Sequence, residues 1–200
     1  MKIKKFKILV LFIFLVITKN FFSQDSKRDI WQQPTKIMDK IGVKPGMIIG
    51  EAGAGDGYFT FFLAKRVGDK GRIYANDINV DALKKLWKRA LAENITNISL
   101  IIGEYEDPLF PRGKMDMVVM MLMFHEIEKP VEFLQNTKLC LKSGAVVVII
   151  DRDPDRYGKN YSHFKKKEQV TEIINKANYE ILKIDESLPR DYIFIIRPKI

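Results

Sequence analysis

Cysteine and histidine are both scarce in this chain of 200 residues, which contains one cysteine, Cys140, and two histidines. A single cysteine cannot build a disulfide framework or a zinc site made of thiolates. Hydrophobic residues make up 46% of the chain and charged residues 30%, which excludes a disordered or collagen-like protein. The length suits one sizeable core, so we expect a single domain over residues 25–200 and no metal site.

The net charge of +9 suggests at first a nucleic-acid partner. Residues 1–24, however, carry five lysines and no acidic residue, so residues 25–200 hold only +4. The run Lys165–Lys167 lacks the interleaved aromatic residues of a nucleic-acid groove, and we interpret it as a solvated helix start. We therefore predict no nucleic-acid partner.

The basic N-terminus precedes an unbroken apolar run of ten residues, Ile8 to Ile17. This pattern is typical of a secretory signal peptide and is too short for a bilayer span. Ser23 offers a small residue for cleavage, but Phe21 stands where a second one is expected. We expect residues 1–24 to be a signal peptide or, if uncleaved, an N-terminal anchor that places the domain on the periplasmic side. Membrane contact is expected only through this segment, and a cytoplasmic location is the alternative.

From Trp31 onward, short apolar runs alternate with amphipathic stretches, the pattern of a parallel sheet with crossover helices. Seven strands are predicted near Met47–Glu51, Arg72–Asp77, Ile98–Ile102, Met115–Met121, Ala145–Asp151, Tyr179–Asp185 and Tyr192–Arg197. Helices are predicted at Thr35–Ile41, Tyr58–Val67, Val80–Ala92, Val131–Leu141 and, after Ser162, at Phe164–Ala177.

Two local patterns refine this arrangement. The last two strands are separated only by Glu186–Asp191, which is too short for a parallel crossover, so they should pair antiparallel. Asn79 is the predicted N-cap of the third helix. The same helix should carry one apolar face, formed by Val80, Leu83, Leu86, Trp87, Ala90 and Leu91.

A glycine-rich turn follows the first predicted strand. Glu51 ends that strand, Gly53, Gly55 and Gly57 alternate after it, and an amphipathic helix comes next. Glycines allow close backbone approach and positive φ, and a helix N-terminus favours an anionic group. Asp77 ends the second strand 20 residues after Gly57, where a carboxylate can accept ribose hydroxyls. A strand, a glycine turn, a helix and a second strand that ends in an acidic residue, in this order, predict a nucleoside-cofactor site. The alternative is a tight structural turn with Asp77 as a helix-start residue.

These motifs resemble class I, Rossmann-like S-adenosylmethionine-dependent methyltransferases, especially the small ubiquinone/menaquinone-biosynthesis type. The resemblance runs from Trp31 to the C-terminus and rests on Val43–Ile49, Glu51–Thr60, Ile73–Asp77, Asp116–Ile127 and Leu141–Gly144. It implies a three-layer α/β fold with a seven-stranded, mostly parallel sheet of order 3-2-1-4-5-7-6, with the last hairpin antiparallel. It also implies that S-adenosyl-L-methionine is the cofactor.

The resemblance assigns the cofactor-binding residues by position. Glu51 and the backbone of the three glycines should hold the amino-acid part, and Asp77 the ribose hydroxyls. Glu104 and Tyr105 follow the third strand, where the family recognises the adenine amino group. An ordinary acidic loop is the alternative reading of those two residues. Met121 lies where it can touch the methyl-donor end.

His125 and Glu126 follow the fourth strand, at the carboxyl edge of the sheet. We predict them as catalytic residues that deprotonate or position an incoming hydroxyl or amine. The alternative is that His125 packs or caps the following loop. Five methionines lie on or beside the same strand, and we interpret them as core residues: Met115, Met117, Met120, Met121 and Met123.

The sequence therefore predicts a methyltransferase that acts on a small-molecule acceptor. One alternative is an NAD-dependent oxidoreductase, although its fingerprint places the third glycine one residue later. The other is an exported, non-catalytic nucleoside-binding or interaction module. The predicted signal peptide in residues 1–24 supports this alternative, because S-adenosylmethionine has no obvious supply outside the cytoplasm. Nothing in the sequence predicts the oligomeric state.

Overall fold

The computed structural model describes residues 27–157 and 163–199. The predicted leader and Ser162 lie outside these residues. The described chain divides into two units, residues 27–37 and 38–199. In the first unit residues 27–32 are helical, and helix α1 (Pro34–Ile41) begins at a proline, whose fixed φ suits a first helical position.

The second unit contains one sheet of seven strands in the order β3-β2-β1-β4-β5-β7-β6. The strands are β1 (Ile48–Ala52), β2 (Arg72–Asp77), β3 (Ile98–Ile102), β4 (Met115–Met121), β5 (Leu141–Arg152), β6 (Tyr179–Asp185) and β7 (Asp191–Pro198). Strands β1 to β5 pair parallel with one another, and β7 pairs antiparallel with both β5 and β6. The predicted fold class, strand order and terminal hairpin are confirmed.

Helices connect most of the strands. They are α2 (Tyr58–Val67), α3 (Val80–Ala92), α4 (Pro130–Thr137), α5 (Pro154–Tyr157) and α6 (Lys167–Lys176). Short 3-10 helices cover Phe124–Glu126 and Lys138–Cys140. None of the helices among the described residues has the length and apolar content needed to cross a membrane.

Two predicted helices have different bounds in the structure. The helix predicted over Val131–Leu141 ends at Thr137, because Leu141 already pairs with Met115 and begins β5 early. The helix predicted from Phe164 begins only at Lys167, where the backbone N–H of Lys166 donates to the side chain of Gln169. These local pairings override the apolar pattern that extended both predictions.

The core around β4 contains the methionines, as predicted. Met115, Met117, Met120 and Met121 are buried in this central strand, which has a parallel neighbour on each side. A central parallel strand is covered by helices on both faces, so flexible thioether side chains fill its irregular gaps.

Helix α3 begins as predicted, and its apolar face is only partly buried. Asn79 caps it by accepting hydrogen bonds from the backbone N–H groups of Asp81 and Ala82. Of the predicted apolar face only Leu83, Leu86 and Ala90 are buried, and Val80, Trp87 and Leu91 are exposed. The predicted apolar face is therefore partly buried and partly exposed, and the strand at this end of the sheet, β3, is an edge strand.

Asp185, at the end of the other edge strand, β6, is bonded to Lys40, which belongs to the second unit. Burial raises the pKa of its carboxyl, but hydrogen bonds from Ser187, Lys183 and Lys40 outweigh this effect and hold the pKa well below its usual range. A lowered folded-state pKa stabilises the protein above the unfolded-state value of about 4, and this contribution is lost as pH falls further.

We expect Asp185→Asn to lower the free energy of unfolding by about 1–3 kcal/mol at pH 7, because ionic hydrogen bonds are lost. The difference from the unmodified protein should shrink as pH falls below about 4. Urea titrations at pH 7 and at several values below 4 measure both quantities. A difference that stays constant with pH would contradict this role.

Candidate functional site

The glycine turn between β1 and α2 lies at the carboxyl edge of the sheet. Gly53, Gly55 and Gly57 all have positive φ, at 72°, 57° and 96°. A Cβ on Gly53 would lie 2.7 Å from Met123, and one on Gly57 would lie 2.7 Å from Leu86. A Cβ on Gly55 would meet no heavy atom within 4 Å. Packing therefore requires the outer two glycines, whereas Gly55 faces open space.

Asp77, at the end of β2, is linked directly to this turn. Its Oδ2 accepts a hydrogen bond of 2.7 Å from the backbone N–H of Gly55, and its Oδ1 accepts one of 2.8 Å from the N–H of Asn79. A carboxylate offers about four acceptor positions, so Asp77 retains capacity for hydroxyl donors. The two strongest sequence signals, the glycine turn and Asp77, thus lie together.

Glu51 lies beneath the turn and is buried near the end of β1. Its Oε2 accepts a hydrogen bond of 2.6 Å from the hydroxyl of Thr60, in the first turn of α2. Thr60 therefore fixes the orientation of a carboxylate next to the glycine backbone. Thr60 closes the motif Glu51–Thr60, but the sequence did not single it out as a partner of Glu51. That role depends on α2 packing back against β1.

The segment after β3 also lies next to Asp77. The backbone N–H of Gly103 donates to the carbonyl of Asp77 at 3.2 Å, which places Glu104 and Tyr105 directly after this contact. Tyr105 is 70% exposed, and Ile78, which follows Asp77, is 47% exposed. Ile78 did not stand out in the sequence, because an isoleucine after a strand is common and its exposure becomes visible only in the structure.

A second cluster forms after β4, where His125 lies in the 3-10 helix. Its Nδ1 lies 2.9 Å from both carboxylate oxygens of Asp151, and its backbone N–H donates to Asp151 Oδ2 at 2.9 Å. The side chain of Asp151 is fully buried, and that of His125 is 9% exposed. An ionised carboxylate only accepts hydrogen bonds, so Asp151 favours the His125 tautomer with the proton on Nδ1.

Glu126, predicted together with His125, lies on the outer side of the imidazole. Its Oε1 is 3.1 Å from His125 Nε2, and its side chain is 75% exposed. The buried partner of His125 is therefore Asp151 from β5, which the sequence prediction did not single out. Asp151 ends the predicted fifth strand, so its position at the same sheet edge as His125 was the available signal.

Lys165 also contacts this cluster. Its Nζ donates to the backbone carbonyls of His125, at 2.7 Å, and Phe124, at 3.3 Å. Burial lowers the pKa of Lys165, while the charges of Asp151 and Glu126 act in the opposite direction. The prediction that Lys165–Lys167 is simply a solvated helix start was therefore wrong for Lys165, which is anchored by these carbonyls; Lys166 is exposed as predicted.

The two clusters lie on neighbouring strands. Ala52 of β1 pairs with Met120 of β4, and Gly53 packs against Met123. Met121, predicted near the methyl donor, is the last residue of β4 and is buried. Over residues 27–157 and 163–199, no group of three or more His, Cys, Asp or Glu side chains could hold a metal ion.

Comparisons with known proteins agree with this geometry. A structure of a SAM-dependent methyltransferase from Aquifex aeolicus superposes with a TM-score of 0.79 at 23% identity, covering 87% of this chain and 96% of that one. The likeness shows the shared fold.

Two curated relatives match part of the sequence. Nocamycin O-methyltransferase of Saccharothrix syringae is 29% identical over 42% of this chain and 30% of its own length. The ubiquinone/menaquinone biosynthesis C-methyltransferase UbiE of Shewanella sp. is 24% identical over 60% of this chain and 48% of its own length. The chain thus spans half or less of the length of these relatives.

A model of the family described as "Methyltransferase domain" matches residues 43–185, from the residues before β1 to the end of β6. This match includes the glycine turn, Asp77, His125 and Asp151, and it confirms both the resemblance and the predicted cofactor, S-adenosyl-L-methionine. It covers well over half of the chain, which therefore belongs to this methyltransferase family.

Proposed function

We propose that this chain catalyses methyl transfer from S-adenosylmethionine to a small-molecule acceptor. The observation that carries the proposal is the open backbone at Gly55, which is held by Asp77 at the carboxyl edge of a methyltransferase sheet. Bound there, the cofactor supplies a methyl group on a positively charged sulfur. The protein then needs mainly to orient two molecules and keep water away.

The residues of the glycine turn fit this cofactor. Open space at Gly55 lets a ligand approach the backbone, and a side chain on that residue would occupy the space. Asp77 is partly exposed and can accept the two ribose hydroxyls while it still holds the N–H of Gly55. Glu51, fixed by Thr60, supplies a negative charge for the ammonium of the amino-acid part.

The adenine base would lie beside the segment after β3. Ile78 and Tyr105 are exposed and follow Asp77 and Gly103, whose backbones are in contact, so apolar surface is available there for a flat ring. Glu104 is exposed at the same place and can accept a hydrogen bond from the adenine amino group. We assign Met121 to the wall near the methyl-donor end, because β4 ends there against the glycine turn.

His125 is our candidate for the group that acts on the acceptor. Asp151 holds its Nδ1, which leaves Nε2 on the less buried side next to the exposed Glu126. An imidazole is a suitable base near neutral pH. Glu126 is therefore assigned to the exposed side of His125, where it can stabilise the positive charge that forms when the ring takes up a proton.

Methyl transfer from radiolabelled S-adenosylmethionine to small molecules in an extract of the native host tests the proposal. We expect label in low-molecular-weight products with the unmodified chain and none with Gly55→Val. Label transferred equally by both proteins would show that the glycine turn does not hold the cofactor, and the absence of any labelled product would contradict the proposed activity.

We further propose that residues 1–24 export the chain or anchor it in the membrane. Five lysines and the apolar run Ile8–Ile17 support this proposal. Fractionation of the native host should place the protein in the periplasmic or membrane fraction. Full-length protein found only in the cytosol would contradict export and favour a cytoplasmic enzyme with ready access to its cofactor.

A further inference from the structure

Asp151 and the aromatic rings beside His125 restrict the kind of acceptor that this site can use. We propose that Asp151 is a positioning residue for His125, and that the acceptor is a hydroxylated aromatic compound that is methylated on oxygen. This inference rests on the proposed methyltransferase function. It adds the substrate class and a residue that the sequence did not single out.

The first observation is the way in which Asp151 holds the His125 ring. Both carboxylate oxygens lie 2.9 Å from Nδ1, and one of them also accepts the backbone N–H of the same residue. Two contacts from one fully buried carboxylate fix both the ring and its backbone. The proton on Nδ1 and the direction of the ring are thereby set, and Nε2 is left as the acceptor nitrogen.

The second observation concerns the other ring nitrogen. Nε2 has Glu126 Oε1 at 3.1 Å, on a side chain that is 75% exposed. The side chain of Glu126 is mostly exposed and can move away at little cost, so an acceptor hydroxyl can replace this carboxylate at Nε2. Once the ring has taken up the proton at Nε2, the buried carboxylate of Asp151 at Nδ1 stabilises its positive charge.

The third observation is the aromatic surface next to His125. The ring of Phe164 lies 4.2 Å from that of His125, and the ring of His163 lies 4.0 Å from that of Phe164, measured between centroids. His163 is exposed and its ring is 5.6 Å from His125. Aromatic compounds stack favourably against such rings. A flat acceptor can therefore lie against His163 with its hydroxyl directed to His125.

Acidity favours a phenol over an alcohol as the acceptor. A phenol has a pKa of about 10, as in tyrosine, and an ordinary imidazole one of about 6.5, so proton transfer is unfavourable by only about 3,000-fold. For a hydroxyl as weakly acidic as water, with a pKa of about 16, the same transfer is unfavourable by about 10⁹-fold. An imidazole base therefore suits a phenol.

In the proposed step the phenol O–H bond breaks and its proton goes to His125 Nε2. The phenol oxygen forms a bond to the methyl carbon, while the carbon–sulfur bond breaks and its electron pair stays on sulfur. The products are a methyl ether, S-adenosylhomocysteine and a protonated His125, which then releases its proton to water.

Nitrogen-15 NMR of the histidine rings tests the role of Asp151 without an acceptor. The chain has only two histidines, so a His163→Gln spectrum assigns the signals. We expect neutral His125 to carry its proton on Nδ1 in the unmodified protein and to shift partly to Nε2 protonation in Asp151→Asn, because an amide can donate to Nδ1 as well as accept from it. The exposed Glu128→Gln is the matched control and should leave the tautomer unchanged.

Asp151 is fully buried, so circular dichroism must first show that Asp151→Asn folds. The unmodified protein tests the same claim without a substitution. If its neutral His125 carries the proton on Nε2, Asp151 does not position the ring and the proposal is wrong. The same conclusion follows if a folded Asp151→Asn protein shows the same tautomer populations as the unmodified protein.

A methylation assay with labelled S-adenosylmethionine tests the acceptor class. The probes are catechol, 4-nitrophenol and 1-naphthol, with cyclohexanol and benzylamine as matched non-phenols. We expect methyl ethers from the phenols only, with kcat reduced about 100-fold or more in Asp151→Asn and a KM for the cofactor that is little changed. Glu128→Gln should match the unmodified enzyme.

Transfer to carbon or nitrogen, or to cyclohexanol as well as to the phenols, would overturn the proposed acceptor class. So would the absence of transfer to every phenol by a protein that binds S-adenosylhomocysteine. That last outcome would leave the methyltransferase proposal in place, because cofactor binding is measured separately. Failure to bind the adenosyl ligand would instead contradict the proposed function itself.

Discussion

Replacing Gly55 with valine should weaken the binding of S-adenosylhomocysteine by about 100-fold or more. The valine side chain would enter the open space next to the backbone, where no heavy atom now lies within 4 Å. A β-branched residue also resists the positive φ of 57° at this position. Isothermal titration calorimetry on the folded variant measures the loss.

Gly113→Val is the matched control for this substitution. Gly113 has a similar φ of 62°, and a Cβ there would also meet no heavy atom within 4 Å. It precedes β4, however, at the opposite edge of the sheet from the glycine turn. We expect both variants to lose similar stability, but only Gly55→Val to lose the ligand. Equal affinities in the two variants would show that the turn around Gly55 is structural only.

Replacing His125 with alanine should have the second large effect. We expect kcat to fall by about 10²- to 10⁴-fold, the usual contribution of a positioned base. Affinity for S-adenosylhomocysteine should change by about twofold at most, because the groups that hold the cofactor lie on β1, β2 and the turn after β3. The measurement combines turnover of a labelled acceptor with calorimetry.

The His125→Ala experiment separates the two readings that the sequence allowed. Loss of a catalytic residue lowers turnover and leaves cofactor affinity unchanged. Loss of a packing residue lowers thermal stability and affects turnover only through the amount of folded enzyme. The midpoint of thermal unfolding should therefore be measured on the same samples. A loss of activity that tracks this midpoint would assign His125 to packing.

The fold could be predicted well because each strand carries its own signal. The periodicity located all seven strands, and the six residues from Glu186 to Asp191 determined the antiparallel hairpin. The exposed residues of α3 could not be predicted in this way. A helix with apolar residues on one face looks the same above the centre of a sheet and above its edge, and only the strand order distinguishes Trp87 from Leu86.

In the candidate site too, local features could be predicted from the sequence, and contacts that depend on the strand order could not. The glycine turn and Asp77 are short-range features, since sequence spacing alone places an acid after the neighbouring strand. The pairing of His125 with Asp151 joins residues 26 positions apart, and it depends on β4 and β5 lying side by side. Glu126, adjacent in sequence, was the simpler prediction, but its direction on the 3-10 helix leaves it exposed.

Calorimetry of the unmodified protein with S-adenosylhomocysteine and, separately, with NAD tests the central claim most directly. A site built from Glu51, Gly55 and Asp77 for the adenosyl cofactor predicts one-to-one binding of S-adenosylhomocysteine and no binding of NAD. Binding of NAD without binding of the adenosyl ligand would contradict the account and identify the site as one for a dinucleotide.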